Sequence, residues 1–161
     1  MLLLLIRHAI AAEQDAEKHP DDTLRPLLPK GRRIQQRMSR RLSKQGMAPE
    51  RVFSSPWKRA WQTARIVVEE SGLSKQDRVA CQALAEPPTL KGLAEEIGGE
   101  IGGDARIALV GHEPWMSQLA GLLLVGQPAG LNVDFPKSGI MGIDADRLDP
   151  GAGVLRFFWR P

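Results

Sequence analysis

The chain has 161 residues, 42% of them apolar and 25% charged, enough to build a core without metal or disulfide staples. Its only cysteine, Cys81, excludes an internal disulfide and a CxxC metal or redox site, and it fits a reducing compartment. A formal net charge of +3 makes the chain mildly basic, a weak pointer to an anionic ligand or to nucleic acid.

Leu2 to Ile6 is an unbroken apolar run, which predicts a strand buried on both faces inside a parallel sheet. Residues 10–29 hold Pro20, Pro26, Pro29 and the acids Glu13, Asp15, Glu17, Asp21 and Asp22. A loop of that length in a compact domain is usually functional. Lys30 to Gln45 reads as a helix with the stripe Ile34, Met38, Leu42, stopped by Gly46. "RVFSS" (51–55) predicts a second strand. The helix after it has Ser55 as N-cap and Pro56 as its first residue. Its stripe is Trp57, Ala60, Trp61, Ala64, Val67 and Val68, and Gly72 closes it. "RVACQAL" (78–84) is a weaker strand, followed by a short helix over Leu90 to Ile97 and a glycine-rich turn at Gly98, Gly99, Gly102 and Gly103. "RIALVGH" (106–112) is another buried strand, and Pro114 starts the next helix. "SGIMGIDA" (138–145) and "GVLRFFWR" (153–160) read as a hairpin around "DPGAG". Alternating strands and helices predict one α/β domain over residues 1–161. It has three layers, a mostly parallel central sheet and an antiparallel C-terminal hairpin.

In an open α/β sheet, ligands bind beyond the carboxyl ends of the strands. Three polar clusters fall at such ends. Arg7-His8 follows the first strand and Gly111-His112 the fourth; Ser54-Ser55 follows the second, with Arg59 shortly after in the helix. Arginine offers a fixed fork that matches phosphate oxygens, and a helix N-terminus adds free N–H groups and partial positive charge. A neutral imidazole is a competent nucleophile toward phosphorus. Three histidines and dispersed acids give no HExxH or similar metal-ligand spacing, and there is no GxxxxGK[ST] loop.

"LIRHA" after a strand, "SSPWKRAWQTA" and "LVGHEP" together resemble the histidine phosphatase, or phosphoglycerate mutase-like, superfamily. The short length and "LRPLLPKG" resemble its SixA-type phosphohistidine phosphatase branch. The resemblance implies a metal-independent phosphatase without cofactor. In it His8 is the nucleophile, and Arg7 and Arg59 hold the phosphoryl oxygens. His112 stabilises transition-state charge, Arg25 stands near the phosphate, and Ser54 lines the pocket. His8 must then be neutral at the attacking nitrogen, with its other nitrogen bonded to a backbone carbonyl. Glu86, in "LAEPP", is the candidate proton donor to the leaving group. The family's Arg-His-Gly is Arg-His-Ala here, and alanine at position 9 disfavours the positive φ that glycine allows. Implied partners are a phosphorylated protein such as a phosphotransfer domain, or a small phosphorylated metabolite.

The helix 30–44 carries Lys30, Arg32, Arg33, Arg37, Arg40, Arg41 and Lys44 with no acid among them. It is a solvated face, over which the acids of residues 13–22 could fold, or a basic surface for an anionic partner. A non-catalytic phosphate-binding or nucleic-acid-binding module using this helix is the alternative reading. The helix lacks the interleaved aromatics that single-stranded nucleic acid favours, which speaks against it. Trp57 and Trp61 are expected in the core, and His19 in solvent. No stretch approaches the roughly 18–20 apolar residues of a membrane span. The apolar opening is too short for a signal peptide and has no basic residue before it, so a cytoplasmic protein without membrane contact is expected.

Overall fold

The computed structural model describes residues 1–98 and 103–161. Strands β1 (Leu2–Arg7), β2 (Arg51–Ser54), β3 (Arg78–Ala80), β4 (Arg106–Gly111), β5 (Ile140–Asp144) and β6 (Val154–Trp159) form one sheet in the order β3-β2-β4-β1-β5-β6. The first four positions are parallel, whereas β5 runs antiparallel to β1, and β6 antiparallel to β5.

The apolar opening is buried on both faces, as its lack of alternation predicts. Leu3 and Leu5 enter one core layer with Ile107, Leu109 and Ile143, while Leu4 and Ile6 enter the other with Ala108, Val110 and Ile140. Burying each such side chain stabilises the fold by about 1.5–3 kcal/mol. Helices α1 (Pro29–Lys44) and α2 (Lys58–Glu70) cover the second layer with Met38, Leu42, Ala60, Ala64, Val67 and Val68. Helices α3 (Leu90–Ile97) and α4 (Trp115–Val125) cover the first with Leu93, Ile97, Met116, Leu119 and Leu123.

Several boundaries differ from the sequence expectation. Helix α2 starts at Lys58 with Trp57 as N-cap, not at Pro56 with Ser55 as cap. Ser55 is still tied to the sheet, its N–H bonded to Val110 O, and its hydroxyl accepts the Trp57 N–H at 3.2 Å. This tight turn lifts the helix start beyond the proline. The strand expected over 78–84 stops at Ala80 and turns into a 3-10 helix, Gln82–Leu84. The Glu96 carboxylate takes the Gln82 and Ala83 N–H groups that a longer strand would have needed for pairing. Pro114 is the N-cap of α4 rather than its first residue. Gly98 and Gly103 both have positive φ, as a glycine turn requires; Gly99 and Gly102 lie outside the described residues.

The acids of 13–22 do not cover α1. Asp15 pairs with Lys18, and Asp22 with Arg25 and Arg59. On α1 itself, Arg40 pairs with Glu70, and Arg41 lies 4.0 Å over the Trp159 ring. Among the described residues no helix is long and apolar enough to cross a membrane.

Candidate active site

Strands β2, β4 and β1 are neighbours, so their carboxyl ends bring the three polar clusters to one edge. The register pairs Arg7 with Gly111 and Ser54 with Val110. His8 and His112 therefore extend past the sheet side by side, with ring centroids 5.1 Å apart. A side chain at Gly111 would strike Met116 and the Leu84 carbonyl, so glycine lets α4 close over this strand end.

His8 is buried, and its Nδ1 lies 2.8 Å from Ala9 O, where only an Nδ1–H can bond. That leaves the Nε2 lone pair free to accept, and Arg59 Nε donates to it at 3.3 Å. The backbone-held tautomer is the one the sequence argument requires. Burial, reinforced by Arg59 and Arg7, pushes the His8 pKa down to about 3. Burial likewise pushes His112 down to about 2, with His8 and Arg59 adding to it. Both rings are neutral at neutral pH.

Arg59 is 5% exposed, and its Nη1 donates to Asp22 O at 2.8 Å and pairs with Asp22 Oδ2 at 3.1 Å. Arg25 enters through the same acid, with Nε 2.7 Å from Asp22 Oδ1 and Nη1 on Ala12 O at 2.6 Å. Asp22 is held below the usual carboxylate range, chiefly by Arg25. Arg7 donates Nη1 to Phe135 O at 2.6 Å. Its Nε and His112 Nδ1 are buried without a partner. His112 Nε2 lies 2.8 Å from Ser55 Oγ. Buried polar atoms without a partner are costly unless a ligand completes them. Together these groups form an electropositive, largely buried cluster of the kind that suits an anion. Among the described residues no three His, Cys, Asp or Glu side chains gather as a metal-holding group.

Two expected positions are placed differently. Ser54 is buried and donates its hydroxyl to Ser55 O at 2.9 Å, so Ser55 is the serine that meets His112. Glu86 is exposed and has no hydrogen bond or ion pair with the cluster among the described residues. Ala9 is buried with Ala11, Leu27 and Ile66, and its N–H donates to Thr63 Oγ1 at 3.0 Å. Ser138 is the non-glycine residue with positive φ among those described, so position 9 does not use glycine's freedom.

Other contacts were not apparent from sequence. Trp57 is not a core residue; its ring lies 4.6 Å from His112 and 4.7 Å from the Arg59 guanidinium carbon. Trp61 is half-buried, with the Arg78 guanidinium 4.1 Å over its ring. Glu113 is half-buried, accepts from Ser117 Oγ at 2.7 Å, and is pushed up by burial near Arg7. Lys137 and Ser138 reach the site because antiparallel β5 begins where β1 ends, a cue available only once the pairing is known. His19 is half-buried rather than in open solvent.

Two buried neutral histidines and Arg7 at the strand ends, met by Arg59 from α2 with Arg25 beside it, are features of an anion-binding α/β protein. The family model "Histidine phosphatase superfamily (branch 1)" matches residues 3–86. The chain belongs to the histidine phosphatase superfamily. An uncharacterized protein of Picosynechococcus sp. is 31% identical over 155 residues, covering 89% of this chain and 84% of that one. The structure of the protein histidine phosphatase SixA complexed with tungstate aligns with TM-score 0.81 and 25% identity, over 100% of this chain and 97% of that chain. A phosphoserine phosphatase of Entamoeba histolytica, solved with 3-phosphoglyceric acid, shares the fold at TM-score 0.66 and 17% identity, over 99% and 97% of the two chains.

Proposed function

We propose that the protein is a metal-independent phosphatase in which His8 Nε2 attacks phosphorus and carries the phosphoryl group as a covalent intermediate. The observation that carries this reading is the His8 ring itself. Nδ1 is bonded to a backbone carbonyl, and Nε2 faces Arg59 in a cluster that also holds the unpartnered Arg7 Nε and His112 Nδ1. Phosphoryl transfer asks chiefly for positioning and charge stabilisation, which these groups supply.

In the first step the His8 Nε2–P bond forms as the bond to the leaving group breaks. Arg7 and Arg59 hold the phosphoryl oxygens. If Ser55 donates its hydroxyl to His112 Nε2, the Nδ1–H of His112 is free to donate to a third oxygen. In the second step water attacks phosphohistidine, inorganic phosphate leaves, and Nε2 recovers its lone pair. Before substrate arrives, Asp22 occupies part of the Arg59 fork, and the incoming phosphate takes its place.

The proposed substrate is phosphohistidine on a protein such as a phosphotransfer domain, as the likeness to SixA suggests. Its leaving imidazole needs little acid assistance, which suits a pocket in which Glu86 stands apart. A small phosphorylated metabolite is the second reading. Glu113, half-buried with a raised pKa near Arg7, favours it, because an alkoxide leaving group needs a proton donor. The test offers a phosphohistidine-bearing phosphotransfer protein, a phosphoserine peptide and sugar phosphates in EDTA. Fastest turnover of phosphohistidine, undiminished by EDTA, is expected. Loss of all activity in EDTA would overturn the metal-independent mechanism.

A further inference from the structure

Both backbone polar groups of Ala9 are committed to neighbours at the site. Its carbonyl accepts the His8 Nδ1–H at 2.8 Å, and its N–H donates to Thr63 Oγ1 at 3.0 Å. Thr63 is fully buried on α2, about one turn beyond Arg59, and its hydroxyl donates to Arg59 O at 2.7 Å. Arg59 Nε in turn donates to His8 Nε2 at 3.3 Å. These bonds close a circuit from Arg59 to His8, to Ala9, to Thr63 and back to Arg59, with every donor pointing the same way round. Hydrogen bonds chained head to tail in this way polarise and strengthen one another.

A helical threonine often bonds the carbonyl four residues back, and by itself that bond carries no function. Thr63 differs in holding a second partner, the Ala9 N–H, 54 residues away in the sequence. With its proton on Arg59 O, Oγ1 turns a lone pair toward Ala9, so one hydroxyl fixes both contacts. The Ala9 methyl is buried with Ala11, Leu27 and Ile66, and the next carbonyl, Ile10 O, is held by the Leu28 N–H at 3.0 Å. The carbonyl that sets the His8 tautomer is thus pinned from both sides. Attack on phosphorus uses the Nε2 lone pair, so Arg59 Nε must release it. The other bonds of the circuit take no part in the chemistry and persist through it. They keep the attacking ring and the helical turn that carries Arg59 in fixed relation, and in-line transfer tolerates little misplacement.

We propose that Thr63 is a positioning residue whose hydroxyl holds His8 and Arg59 in register for attack without touching the substrate. This rests on the reading of His8 as the nucleophile. Thr63→Val keeps the shape of the side chain and deletes the hydroxyl, whereas Thr63→Ser keeps the hydroxyl. On the substrate turned over fastest, kcat of Thr63→Val should fall roughly ten- to hundredfold with KM within about twofold of wild type, and Thr63→Ser should recover kcat to within about threefold. A residue that only stabilised the fold would lower the melting temperature and leave kcat per folded molecule unchanged. Wild-type kcat in Thr63→Val, or equal losses in Thr63→Val and Thr63→Ser, would overturn the proposal alone. So would an Ala9 amide that exchanges its hydrogen, in the wild-type protein, as fast as an unstructured amide, a measurement that stands even where Thr63→Val does not fold. Turnover by His8→Ala at the wild-type rate would overturn the nucleophile reading and this proposal with it.

Discussion

His8 owes its neutral state to burial rather than to a neighbouring base. Its ring, pushed down to about 3, should show no titration between pH 5 and 7 when followed by NMR of the imidazole nitrogens. A titration near the ordinary value of 6.5 would mean that the ring is not desolvated as described. Arg59 depends on its shape as well as its charge, since Nε meets His8 while Nη1 meets Asp22. Arg59→Lys keeps the charge and loses the fork, so kcat/KM on any phosphorylated substrate should fall roughly a hundredfold. Unchanged kcat/KM would remove Arg59 from the clamp. Arg7, His8, Arg59 and His112 are legible in the sequence because each sits at or just beyond a strand end, in a short motif. Asp22 and Lys137 are not, because loop return and antiparallel pairing place them, and neither leaves a local pattern. Trp57 misleads for a related reason. It continues an apolar helical stripe, but the helix begins one residue later, so the ring turns toward His112.

At the scale of elements, the loop after β1 is held by its contact with α1. Leu28 N–H bonds Ile10 O at 3.0 Å, and a Cβ at Gly31 would run into the Ile10 backbone. Backbone cannot swing aside as a side chain can. Gly31→Ala should therefore destabilise the fold by about 1–3 kcal/mol. It should also displace the segment that leaves His8, lowering kcat/KM beyond what the loss of stability explains. Thermal melting and turnover on the same preparation check this; a melting point unchanged from wild type would contradict the close approach. The strands and helices were readable from periodicity because each buries a regular face. Some of their ends were not, since Glu96 and Ser55 set them through contacts between elements.

For the whole molecule, the site makes stability depend on pH. Unfolded histidines take up a proton near 6.5, whereas folded His8 and His112 do so only near 3 and 2. Unfolding therefore binds protons in mild acid. The stability tied to these rings is full above about pH 6.5 and is lost as pH falls from there toward 3. Asp22, also depressed, adds loss in the same direction at lower pH. The melting temperature should fall steadily from pH 7 to pH 4, with a shallower slope in His112→Asn. A melting temperature that is flat across that range would contradict the buried neutral pair. The α/β class and antiparallel hairpin were legible from the order of elements. The strand order was not, because β4 inserts between β1 and β2 through contacts far apart in sequence.

The central claim is a phosphoryl group on His8 Nε2. Rapid alkaline quench of the enzyme with a phosphorus-labelled substrate, followed by peptide mapping, tests it directly. The expected result is an acid-labile, alkali-stable label on the peptide containing His8, absent in His8→Ala. Turnover by His8→Ala at the wild-type rate, or a label on any other residue, would contradict it.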